Sequence, residues 1–138
     1  MITAVDTSVL ISVFTAEPGF GEQAARALRL CIAQGRLVAC EAVWAEVRHG
    51  FGDDATLIAA MADLGVGFDP MNRAAALAAG TTFRAYRARG GTRERVVADF
   101  LVGAHAATQA DRLLARDRGF YRSYFRTLRV MDPSREPA

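Results

Sequence analysis

Met1–Ile11 reads MITAVDTSVLI, an apolar run from Ile2 to Val5 that meets an acid at Asp6 and then turns toward a helix. Thr7 and Ser8 are suited to cap that helix, which the pattern starts near Val9 and carries to about Phe14. Asp6 is therefore expected at the C-terminal end of a buried strand. In open α/β sheets that end forms the crevice in which ligands bind. An Asp-Thr-Ser also serves as a plain turn and cap, so the meaning of Asp6 depends on what the rest of the chain brings beside it.

Outward from this stretch, short apolar strands alternate with helices, the pattern of a parallel sheet covered on both faces. Glu22–Gln34 has helical apolar spacing at Ala25, Leu28 and Ile32. Leu37–Cys40 reads as a second strand and Ala42–His49 as a helix. Asp53 or Asp54 is placed to cap a helix that ends at Leu64, and Val66–Phe68 is a third strand. Asn72–Arg89 is a long alanine-rich helix. Thr92 then caps another, Arg93–Gln109, with Phe100 and Leu101 facing inward. Arg112–Ala115 and Leu128–Met131 complete five strands. Phe120, Tyr121, Tyr124 and Phe125, between the last two, are expected to pack on the sheet. The whole chain, 1–138, reads as one domain with a polar tail at 133–138.

Composition bounds the function. The 138 residues are 51% hydrophobic and 23% charged, which suits a packed core. No apolar run reaches the ~20 residues needed to span a bilayer. The N-terminus has no secretory pattern, so a cytoplasmic address with no membrane association is expected. Cys31 and Cys40 are too few for a disulfide framework and read as core residues. All 17 basic residues are arginine. Residues 1–83 hold 5 Arg against 9 acids and residues 84–138 hold 12 against 6, so an acidic half faces a basic one. An arginine-rich surface is the footprint of a nucleic-acid binder, although arginines spread along helices also form ordinary solvated faces.

Four carboxylates fall where the fold would bring them together. Asp6 ends the first strand and Asp117 follows the fourth. Glu46 and Asp99 each lie at the edge of an apolar helix face. Like charges 4 Å apart repel by roughly 4 kcal/mol at an effective dielectric of 20, so a cluster of this kind calls for a cation. Hard oxygen donors suit Mg²⁺ or Mn²⁺, whereas Zn²⁺ would want His or Cys. His49, at a helix C-terminus, and His105, well round its helix from Asp99, read as structural.

The blocks Asp6-Thr7-Ser8-Val9-Leu10-Ile11, Trp44-Ala45-Glu46-Val47, Ala98–Ala106 and Leu114–Tyr121 resemble the ordered signature of the PIN-domain family, and more narrowly the VapC-type ribonuclease toxins of prokaryotic toxin–antitoxin pairs. The resemblance implies a three-layer α/β/α domain around a mainly parallel five-stranded sheet. It also implies an acidic pocket holding one or two Mg²⁺ or Mn²⁺ ions, and cleavage of single-stranded RNA by metal-activated water. Asp6, Glu46 and Asp99 match the three core acids, Asp117 the more variable fourth, and Ser8 a small polar position that orients the first carboxylate. Ala115 departs from the pattern, which often has Thr there. Arg93, Arg95, Arg116 and Arg118 are the nearest candidates for contacts to RNA phosphates. A small cognate antitoxin and a homodimer are the implied partners.

Two other readings share features with this one. A catalytically silent PIN-like module would bind RNA or protein through the same fold, but it has no evident use for four clustered acids. A haloacid-dehalogenase-like phosphatase also begins with a strand-end Asp, but its pattern wants a second Asp two residues on, where this chain has Ser8.

Overall fold

The computed structural model describes residues 1–91 and 97–135. Thr92, Arg93 and Arg95, with the expected start of the helix they precede, lie outside the described residues, as do 136–138 of the tail. Among the described residues five strands form one sheet: β1 (Ile2–Val5), β2 (Arg36–Ala39), β3 (Val66–Phe68), β4 (Arg112–Leu114) and β5 (Val130–Met131). Their order is β3-β2-β1-β4-β5, and every pairing is parallel. Ala4 stands between Val38 and Leu113, all three buried. β1 is thus the central strand, and the chain winds outward from it in both directions.

The helices are α1 (Thr7–Phe14), α2 (Phe20–Gln34), α3 (Glu41–Arg48), α4 (Asp54–Leu64), α5 (Arg73–Ala88), α6 (Val97–Gln109) and α7 (Phe120–Tyr124). Several boundaries follow from capping. Asp53 caps α4 by accepting from Thr56 N at 2.7 Å, and that bond holds its carboxyl below the usual range. Asn72 caps α5 through Ala75 N. α1 begins at Thr7, earlier than the sequence pattern suggests, because Asp6 itself is the cap: with φ −79° and ψ 155° its side chain accepts from Thr7 N.

The core is aliphatic where the sheet lies, with Val5, Val9, Leu10, Val43, Leu113 and Leu114 buried. The aromatic residues near the C-terminus pack against the core, with Tyr121 and Phe125 buried; Phe120–Tyr124 forms α7, a helix too short for periodicity to reveal. The ring of Phe100, on α6, is the hub, with Phe83, Tyr86 and Phe120 centred 5.1, 5.3 and 5.0 Å away. This cluster joins α5, α6 and α7 at the edge of the cavity described next.

Both cysteines are buried; Cys31 Sγ accepts from Arg112 Nη2 at 3.3 Å, and burial pushes the Cys40 thiol up, as suits core residues. His105 is buried, with Nε2 2.8 Å from Asp69 Oδ2, and it ties α6 to the segment after β3. His49 sits exposed at the end of α3. No helix among the described residues is long and apolar enough to cross a membrane.

Candidate functional site

The sheet changes winding direction between β1 and β4, and crevices at such switch points open at the C-terminal ends of the strands. Asp6 and Asp117 flank this one. Asp6 N donates to Leu114 O at 2.9 Å, so the backbone ladder carries the acid to the end of β4. Asp99, in the first turn of α6, reaches the same place. The three acids and Ser8 line a cavity of about 280 Å³ whose other walls are Arg116, Arg118, Phe120 and Tyr121.

Asp6 is the centre of the group. Its Oδ1 accepts from Thr7 N at 2.7 Å and its Oδ2 from Ser8 Oγ at 3.3 Å. Burial pushes the carboxyl up to about 6 from 3.8, and the charges of Asp99 and Glu46 add to the rise, while the bonds from Thr7 and Ser8 pull the other way. A half-buried acid with two like charges nearby is held in an unfavourable field.

Glu46 arrives differently. It is exposed on α3 and does not line the cavity; it borders an adjacent apolar groove with Ile11, Phe14 and Phe51. Its link to the site is Thr7, whose Oγ1 donates to Glu46 Oε1 at 2.7 Å.

Asp117 is buried, and both its oxygens are engaged by the start of α7. Oδ1 accepts from Gly119 N and Tyr121 N at 2.9 and 3.2 Å. Oδ2 accepts from Arg122 N at 3.2 Å and lies 3.5 Å from Arg122 Nη1. Its position in the cavity wall is as expected from the sequence; its role as an anchor for a helix was not read there.

Thr7, read only as a cap, and Asp132 were also missed. Asp132 is buried behind Asp117 and accepts from Asp117 N at 3.1 Å. The signal was present, since Asp132 follows β5 just as Asp6 follows β1.

Among the described residues no group of three or more His, Cys, Asp or Glu side chains stands close enough to hold a metal ion as placed. The chemistry of the donors nonetheless fits one: they are carboxylates, and burial together with the charges of Asp99 and Glu46 leaves Asp6 in a setting that a divalent cation relieves. Of the expected arginines, Arg116 and Arg118 lie at the cavity.

Comparison with known proteins agrees with this architecture. No curated protein matches the chain. Among solved structures it is similar to VapBC2 from Rickettsia felis, bound to a DNA fragment from their promoter, at 13% identity over 96% of this chain and 98% of that one, TM-score 0.74. It is likewise similar to VapBC-1 from nontypeable Haemophilus influenzae, at 19% identity over 98% and 100%, TM-score 0.72. A toxin-antitoxin complex from Klebsiella pneumoniae gives 17% identity over 95% and 97%, TM-score 0.68. At such identities the likeness speaks for the fold. The family profile of the PIN domain matches residues 3–126, most of the chain and all of the cavity, and this chain is a member of the PIN domain family.

Proposed function

We propose that this protein is a metal-dependent endoribonuclease that cleaves single-stranded RNA, acting as the toxin of a toxin–antitoxin pair. The observation that carries the reading is the crowding of Asp99 and Glu46 around a half-buried Asp6, at the C-terminal switch point of a PIN-domain sheet. Nuclease chemistry typifies that family.

Asp6, Asp99 and Glu46 would hold Mg²⁺ or Mn²⁺, which when bound supplies an activated water for in-line attack and neutralises charge on the scissile phosphate. The chain itself sets the geometry. Thr7 N and Ser8 Oγ orient Asp6, and Thr7 Oγ1 orients Glu46. Asp117, its oxygens held by α7, shapes the cavity wall and contributes a fourth negative charge. Arg116 and Arg118 bind flanking phosphates, as would Arg93 and Arg95, positioning the strand without choosing its sequence. The Klebsiella pneumoniae structure is a toxin-antitoxin complex, which supports a small antitoxin as partner; a homodimer and a cytoplasmic address belong to the same proposal.

The test is cleavage of a mixed single-stranded RNA pool by the antitoxin-free chain, with Mg²⁺ or Mn²⁺ and with excess EDTA. An Asp99→Asn variant of verified fold is the control. Cleavage that requires metal and is lost in the variant is the expected result. Equal inactivity of folded wild type and variant, with no metal binding by either, would instead mark a silent binding module.

A further inference from the structure

The turn between α1 and α2 is shaped around Glu17, an acid that the reading above leaves without a role. Ala16 has φ +50°, a left-handed conformation that no other non-glycine among the described residues adopts and that L side chains disfavour. Strained positions of this kind cluster where function demands them. The bend folds Glu17 back along α1: its N–H donates to Ser12 O at 2.9 Å and its Oε1 accepts from Ser12 Oγ at 3.3 Å. α2 passes so near that a Cβ on Gly21 would stand 3.0 Å from Ser12 O.

Held this way, Glu17 offers Oε2 to Arg116 Nη2 at 3.0 Å. The Arg116 guanidinium also lies over the Phe20 ring, 3.5 Å from its centroid. Arg116 lines the cavity of Asp6 and Asp99, and its side chain is 34% exposed. An ion pair this open contributes little to stability, so the restraints on Arg116 serve orientation. A guanidinium has five N–H donors in a rigid fork that matches a phosphate. Contact with Glu17 on one edge and Phe20 on one face leaves donors for a ligand.

We propose that Glu17 is a positioning residue: through its bond to Arg116, braced by Ser12 and Phe20, it fixes that guanidinium as a clamp for a non-bridging phosphate oxygen of the RNA strand at the acidic cavity. This rests on the nuclease reading and adds to it the means by which the strand is held in register.

The test is steady-state cleavage of a fluorescent mixed-sequence single-stranded RNA by the full chain with Mg²⁺. The variants are Glu17→Ala, Glu17→Gln, Arg116→Ala and the double alanine, each with a thermal melt. Arg116→Ala is expected to raise KM about tenfold with kcat within about twofold, the signature of lost uniform binding. Glu17→Ala is expected to raise KM roughly fivefold, and Glu17→Gln, which keeps an acceptor for Arg116, recovers part of that. The double variant is no worse than Arg116→Ala alone, because Glu17 acts through it.

A Glu17→Ala enzyme with unchanged KM and a lowered kcat and melting temperature would show a role in the fold and overturn the proposal. A lowered KM would make Glu17 a competitor of phosphate and overturn it equally. Wild type that cleaves no RNA removes the nuclease reading and this proposal together. Cleavage with KM unchanged in both Glu17 variants removes the positioning role alone.

Discussion

Thr7 Oγ1 donates a 2.7 Å hydrogen bond to Glu46 Oε1, joining the buried first residue of α1 to an exposed carboxylate on α3. Thr7 N meanwhile donates to Asp6 Oδ1. One residue therefore holds two acids of the candidate site, one through its backbone and one through its side chain. Thr7→Val removes only the second bond. The expected outcome is a loss of roughly tenfold in kcat/KM, in line with a hydrogen bond to a charged group, with Thr7→Ser close to wild type. Cleavage assays on the three proteins check this, and an unimpaired valine variant would mean that Glu46 needs no orientation.

The raised Asp6 carboxyl makes the metal-free protein pH-sensitive. Its folded value is about 6 against an ordinary 3.8, so the folded state holds the proton more tightly than the unfolded one. Stability from this group is fully present below 3.8 and is lost as pH rises through 6, to a total of about 3 kcal/mol. Asp6→Asn keeps a good helix cap without the charge. Urea unfolding in EDTA should find it more stable than wild type at pH 7.5 and equal at pH 3.5. A uniform difference across that range would contradict the rise ascribed to burial and, after it, to the charges of Asp99 and Glu46.

Asp117 should declare itself by stability. Asn at 117 can accept through one oxygen only, and its amide would face Arg122 N–H where Asp117 Oδ2 now accepts at 3.2 Å. A loss of about 1–3 kcal/mol follows from the unsatisfied donor, together with loosening of α7. Asp99→Asn is expected to lose cleavage, as a change to a metal-holding carboxylate. Denaturation and activity measured on both variants decide how far Asp117 serves the fold.

Gly103 is buried in α6, and a Cβ there would run into the ring of Phe125. Alanine is the better helix former, yet overpacking should prevail. Gly103→Ala is expected to destabilise by about 1–3 kcal/mol, and Phe125→Leu in the same chain should restore part of the loss. Melting temperatures of the single and double variants test it.

Much of this arrangement is legible in the sequence because the signals are local. Ile2–Val5 followed by an acid marks a strand end, and Asn72 and Asp53 mark helix starts, since a cap is a bond between near neighbours. Other features are not local. α7 has five residues, fewer than two turns, so no period can show; its helical form depends on the carboxylate of Asp117 collecting its first N–H groups and on Phe100 receiving its rings. Asp132 follows a strand that the sequence shows, but its bond to Asp117 N spans 15 positions, and no local signal reveals that contact.

The sequence by itself determined the alternation of strands and helices, the placement of acids at strand ends, and the asymmetry of charge, all consequences of side-chain periodicity and capping along the chain. Tertiary structure alone decided which acids share a cavity, that Glu46 reaches the site through Thr7, that Asp117 is bound up in a helix, and that Glu17 and Phe20 take hold of Arg116. Those are contacts between residues as far apart as the 99 positions separating Glu17 from Arg116, and they come into being only when the winding of the sheet around β1 brings distant segments together.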